Sequence, residues 1–268
     1  HPNSVGEFSA ILTVVAFSRL AGQQKITSMR QKVFWMGAFA FAVGTLVFAQ
    51  ARTSILALLP ALAACLLMYG RLRAALPLAL LACGVAAVGG ARIATTYLMR
   101  GQTSDVFFTM TGRLSYWEPA WDLFKESPVV GHGFYTGHRI DLNARIDFID
   151  LSTVDNSWLE VLVSVGVLGA IPLICAVTWA FGRLLRISTG VRSPPEWRCV
   201  AREMTAVMIV VLARSLTGPS FEVHNLNLVV VLLSMAFVHT VQSQGVRALS
   251  GVPHLAATRP SPALGPQP

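Results

Sequence analysis

Apolar residues in this chain are gathered into long runs separated by short polar stretches, and these runs set the first prediction. Over 4–20, 33–50, 53–70, 74–94, 156–182, 204–217 and 226–243 the sequence is almost continuously hydrophobic. Most runs hold roughly 17 to 25 residues, enough for a helix rising about 1.5 Å per residue to cross a hydrocarbon core about 30 Å thick. The expected fold is therefore all-α, a polytopic transmembrane helical bundle of about seven spans. The sixth run is the weakest, being short and carrying Arg214 near its end.

Between the fourth and fifth runs lies a loop, 95–155, of about 60 residues, too long for a simple connection and too rich in aromatics for a linker. It divides the chain into four spans over 1–94, the loop over 95–155 and three spans over 156–245. Residues 246–268 form a Pro-, Ser-, Ala- and Gly-rich tail that cannot bury a core and is expected to be disordered. Inside the loop, Leu114, Trp117, Trp121 and Phe124 recur at three- and four-residue spacing, which puts them on one face of a helix. The loop is expected to contain interfacial helices, with Trp and Tyr at the headgroup level; the plainer alternative is a helix packed on the protein's own spans. Ser115 with Glu118, and Ser157 with Glu160, have the spacing of capping boxes. Pro128 stops the loop helix, and Gly131 and Gly133 permit a shaped turn.

Composition agrees with lipid as the solvent, at 54% hydrophobic and 13% charged residues, with a mean hydropathy of +0.59. A net charge of +8 in a soluble protein would point to nucleic acid; here the distribution says otherwise, and no nucleic-acid partner is expected. Arg19, Lys25, Arg30 and Lys32 separate the first two runs, and Arg71 and Arg73 the third and fourth. Arg183, Arg186, Arg192, Arg198 and Arg202 separate the fifth and sixth, and Arg247 and Arg259 lie in the tail. By the positive-inside rule these alternate segments, the tail included, face the cytoplasm and the 95–155 loop faces outside. The first run has no basic segment before it and is not read as a signal peptide. Cys65, Cys83, Cys175 and Cys199 fall in spans or on the cytoplasmic side, so no disulfide is expected.

Several of these pieces, in this order, resemble the O-antigen ligase and polysaccharide polymerase family. They are Thr111-Gly112-Arg113, the aromatic helix, Ser127-Pro128 with Gly131 and Gly133, and Asp155-Asn156-Ser157-Trp158-Leu159-Glu160 followed by Val165-Gly166-Val167-Leu168-Gly169. His1-Pro2-Asn3 at the start of a span and Ala51-Arg52-Thr53-Ser54 at an outer turn also fit. The resemblance extends over roughly residues 1–245. It implies a glycosyltransferase of the bacterial cytoplasmic (inner) membrane that uses a polyprenyl diphosphate-linked glycan as donor. The acceptor is a glycan or lipid-core hydroxyl, with membrane lipids as further partners and no cofactor. Because the family usually has ten or more spans, the chain is expected to be a C-terminal fragment.

The chemistry asks for the same residue types. An acceptor hydroxyl attacks the anomeric carbon as a lipid diphosphate leaves, so the site needs fixed cations for the leaving group and a proton acceptor. The planar guanidinium suits diphosphate oxygens. The resemblance implies Arg52 and Arg113 as these cations, against the plainer reading of arginines reaching to lipid headgroups. It implies Asp155 as the residue that takes the proton or orients the hydroxyl, although the family commonly has histidine there. An ordinary carboxylate is a weak base at neutral pH, so His132, His138 or His224 are candidates to stand in. Asn156, Arg214, His132, His138 and His224 are the expected substrate contacts. Asp141, Asp147 and Asp150 match no metal-binding spacing, so a metal-independent reaction is expected. A solute or lipid transporter is the competing reading, weakened by polar residues concentrated in the loop and by the lack of visible inverted repeats.

Overall fold

A computed structural model describes residues 2–22, 28–70, 114–134, 140–142, 154–191, 193–221 and 225–249. Among these residues the chain is helical and contains no strand. Seven helices can be named: α1 (Pro2–Ala21), α2 (Met29–Ala49), α3 (Arg52–Met68), α4 (Leu114–Glu126), α5 (Ser157–Thr189), α6 (Pro195–Ser215) and α7 (Leu226–Leu249). Four contain segments long and apolar enough to cross a membrane: Asn3–Ala21, Met29–Ala49, Ser157–Thr189 and Leu226–Gln244. α3 is apolar but shorter, at 17 residues. The run over 74–94 and the tail beyond 249 lie outside the described residues.

Helix limits follow local chemistry. Ser28 in extended conformation caps α2, its hydroxyl accepting from the Gln31 amide at 3.3 Å. α6 begins at Pro195, well before the hydrophobic run at 204. Its polar first half is a helix because its charges have partners on neighbouring helices, which hydropathy does not register. Arg19 pairs with Glu203 at 2.6 Å, and Arg202 donates to the Ser188 carbonyl at 3.1 Å while stacking over Tyr69.

α1, α3 and α6 meet in a core of small side chains. Ala57, Ala61 and Cys65 recur at four-residue spacing on α3 and are buried with Ala10 and Val14 of α1 and Ala206 and Val210 of α6. Between apolar helices in lipid, association relies on close van der Waals packing, which small residues permit. A second core joins α5, α6 and α7 through Val177, Leu184, Met208, Val211, Val231 and Val238. α2 packs mainly on α1 and leaves Phe41 and Phe48 on the outside, Phe48 at 90% exposure.

The loop helix α4 packs on α5. Its buried face is Ala120 and Leu123, with Tyr116, Trp117 and Phe124 beside them, against Leu159 and Val163 of α5 and Leu142 and Val154 of the loop. This corrects the predicted stripe: Trp121 points outward at 46% exposure, whereas Trp117 donates its indole N–H to the Val154 carbonyl at 3.1 Å.

Two ends of the bundle can be told apart. At one, Ser18, Arg19, Tyr69, Ser188, Arg202 and Glu203 interlock; this is the basic end. At the other, the starts of α1, α3, α5 and α7 meet the end of α6; this is the loop end.

Candidate functional site

The first turn of α3 is fixed by a short connection and a buried ion pair. Gln50 adopts a left-handed conformation (φ 48) that ends α2, and α3 starts two residues later. Ala51 sits so close to α1 that a Cβ on Gly6 would lie 2.0 Å from its own Cβ, so only glycine fits there. Across this pinch reaches Arg214 from the end of α6, 2% exposed. Its Nη2 lies 3.4 Å from Oε2 of Glu7, and its Nη1 donates to the Thr53 hydroxyl. Gly218 leaves room for the guanidinium, since a Cβ there would be 3.1 Å from Nη2. Arg52, half-buried, is the neighbour of the hydroxyl that Arg214 holds.

The start of α5 is stitched to the same stretch of α6. Asn156 is the N-cap, its side-chain oxygen accepting from the amides of Trp158 at 3.1 Å and Leu159 at 3.2 Å. The predicted Ser157–Glu160 capping box is therefore not what forms. Asn156 precedes Ser157 and caps as well as serine does, which leaves Ser157 for a long-range role. The Ser157 hydroxyl donates to the Gly218 carbonyl and accepts from the Ser220 amide, both at 2.6 Å. Trp158 donates its indole N–H to the Ser215 hydroxyl at 2.9 Å and stands edge-on to Phe221. Asn227 at the start of α7 donates to the Ser220 hydroxyl at 3.0 Å. Asp155 has φ 54, a left-handed position that Asp tolerates better than most residues, and it reverses the chain immediately before the cap.

The turn after α4 is built into a break in α5. At Gly166 (φ 60, ψ -169) the helix is interrupted, so the amides of Val167 and Leu168 cannot reach the Val163 and Ser164 carbonyls in the helical pattern. All four groups find partners in the turn. His132 N donates to Val163 O at 2.8 Å and Gly133 N to Ser164 O at 2.9 Å. In return Val167 N donates to Pro128 O at 2.9 Å and Leu168 N to Val129 O at 3.1 Å. The backbones touch: a Cβ on Gly166 would lie 2.2 Å from Val129 O, and one on Gly131 (φ 70) would lie 2.5 Å from the Ser164 carbonyl carbon. The glycines of both sequence motifs are needed at one contact.

His132 uses both ring nitrogens within this assembly. Nε2 donates to the Leu123 carbonyl at 2.7 Å, and Nδ1 is 3.2 Å from Asp141 Oδ2. Both ring nitrogens are engaged, and the ring cross-links the turn to α4 and to the helical residues 140–142.

Of the residues singled out from sequence, Arg52, Arg214, Asp155 and Asn156 gather at the loop end, and His132 sits beside the α5 break. Arg113, His138 and His224 lie outside the described residues. Arg214 and Asn156 turn inward, to Glu7 and Thr53 and to the α5 amides. Sequence reasoning passed over Glu7 and named Thr53 and Ser157 only as members of motifs. Glu7 carried a readable signal, because a carboxylate inside an apolar span demands a buried partner.

A family model described as O-Antigen ligase matches residues 37–174, about half of the chain, from within α2 through α3 and α4 to beyond the break in α5. No curated protein matches the chain.

Proposed function

The chain belongs to the O-antigen ligase family, and from that membership we propose that it transfers a glycan from a polyprenyl diphosphate carrier to an acceptor hydroxyl. The family makes it a membrane protein of glycosyltransferase type acting on lipid-linked glycans. On our reading it has about seven spans in a bacterial inner membrane, with the loop end outward, and works without a metal ion.

In the proposed reaction the acceptor oxygen bonds to the anomeric carbon from the face opposite the diphosphate, inverting it, as the bond to the diphosphate oxygen breaks. Asp155 orients the hydroxyl and takes its proton. The guanidinium groups of Arg52 and Arg113 balance the charge that develops on the leaving diphosphate. His138 and His224 are kept as substrate contacts. Asn156, Arg214 and His132 act at one remove: Asn156 fixes the α5 start behind Asp155, Arg214 fixes the α3 turn behind Arg52, and His132 fixes the loop.

One observation carries this reading. The first turn of α3 and the first turn of α5 are both tied to the same short segment, Arg214 to Ser220, through Thr53, Ser157 and Trp158. Arg52 and Asp155 are thereby brought to one end of the bundle. Purified protein in nanodiscs, supplied with a lipid-linked oligosaccharide and an acceptor, gives the test. Arg52→Ala and Arg113→Ala are each expected to reduce transfer about 10²-fold or more, as removal of a charge-stabilising contact does. Unchanged transfer in either would remove that residue from the site.

A further inference from the structure

We infer that the turn after α4, residues 128–134, is where the loop enters lipid, and that α4 itself stays above the hydrocarbon. The partner of this surface is the acyl-chain region of the bilayer.

Position along α5 gives the depth. Arg183 and Arg186 mark the basic end of that helix, and no charged residue occurs between Glu160 and Arg183. At about 1.5 Å per residue, Gly166 lies roughly 26 Å from Arg183 and roughly 30 Å from Arg186. A hydrocarbon core about 30 Å thick therefore reaches the break, and the turn docked there sits at the outer hydrocarbon boundary.

The surface is apolar and continuous with one that α5 presents to lipid. Val129 and Val130 are 57% and 61% exposed. Val129 is hydrogen-bonded to Leu168, which is itself exposed together with Ile171 one turn further on. Phe134, at the end of the turn, is exposed as well. In a water-facing loop these residues would present a large apolar area without reason.

Non-helical backbone is tolerated in hydrocarbon only when its polar groups are satisfied by protein. Six backbone groups of the turn meet that demand. Pro128 has no amide hydrogen to satisfy, and the Pro128 and Val129 carbonyls accept from α5. The amides of His132 and Gly133 donate to α5, the Gly131 amide donates to the Ser127 carbonyl, and the Gly131 carbonyl accepts from the Ser127 hydroxyl. The one polar side chain within the turn, His132, points back to Leu123 and Asp141. By contrast α4 exposes Glu118 and Asp122 as well as Trp121, a surface suited to water and headgroups.

The test uses the wild-type chain in nanodiscs containing a phospholipid with a photoreactive diazirine on its acyl chain. Mass spectrometry is expected to find label on 128–134 to the same degree as on 168–174, and none on Glu118 or Asp122. A fluorophore on Val130→Cys, in a background without the four native cysteines, is expected to emit at shorter wavelength than one on Glu118→Cys. It should also be quenched by nitroxide lipids rather than by aqueous iodide. An unlabelled turn, or iodide quenching equal at both positions, overturns the inference. If 168–174 were also unlabelled, the membrane placement of α5 would fall with it. None of these readouts depends on glycan transfer.

Discussion

Replacing Gly166 with alanine tests the joint between the loop and α5. The backbone there is at φ 60 and ψ -169, a region open essentially to glycine, and holding alanine in it costs about 1–3 kcal/mol. Conformational strain is not the only penalty, because the new Cβ would meet the Val129 carbonyl oxygen at 2.2 Å and its carbon at 2.3 Å. These are backbone atoms, and no rotamer change relieves the contact. The expected response is that α5 closes into a regular helix and expels the turn. Val167 and Leu168 then regain their bonds to Val163 and Ser164, so four hydrogen bonds are exchanged for two. The loss of two, at about 0.5–1.5 kcal/mol each, comes to about 1–3 kcal/mol, and the lost apolar contact adds to it. Either route destabilises by about 2–4 kcal/mol. Hydrogen exchange read by mass spectrometry should show faster exchange in 128–134 while 163–168 becomes more protected. Thermal unfolding in detergent should fall correspondingly. Unchanged protection of the turn, with stability within about 0.5 kcal/mol of wild type, would refute the claim that the joint needs glycine.

Two further substitutions probe the loop end. Glu7→Ala or Arg214→Ala alone leaves an unpaired buried charge and should cost about 3–5 kcal/mol. Glu7→Leu combined with Arg214→Met should cost clearly less than the two single changes together, and additive losses in thermal unfolding would show that the two side chains are not coupled. Asp155→Gly suits the left-handed backbone at φ 54 and should keep the chain reversal before α5. Glycan transfer should nonetheless be lost in the same variant, and full activity would reduce Asp155 to a residue that turns the chain.

How much of this was legible in advance differs by element. The limits of α1, α2 and α3 fall within a few residues of the apolar runs, because a run of hydrophobic side chains is a local property of the sequence. α6 was read too short, since Arg202 and Glu203 look like loop residues until Ser188 and Arg19 are seen beside them. In α4 the helix was legible but its buried face was displaced. Ala120 contributes nothing to a stripe of large side chains, yet it marks the closest approach to α5. Arg214 was marked as notable for the right reason, a charge at the edge of a span, but only a partner 207 positions away shows it to be buried.

Sequence by itself determined the all-helical class, the membrane as solvent, the separation of a basic end from a loop end, and the family. Each depends on composition, short-range periodicity or ordered motifs, which are properties of the chain taken in order. Tertiary structure alone decided what the marked residues touch. Asn156 rather than Ser157 caps α5, His132 is consumed as a cross-link, and Gly131 and Gly166 are two halves of one backbone contact. Those outcomes turn on groups far apart in the chain competing for the same hydrogen-bond partner or the same few ångströms of space. Nothing local to either group records which of them prevails.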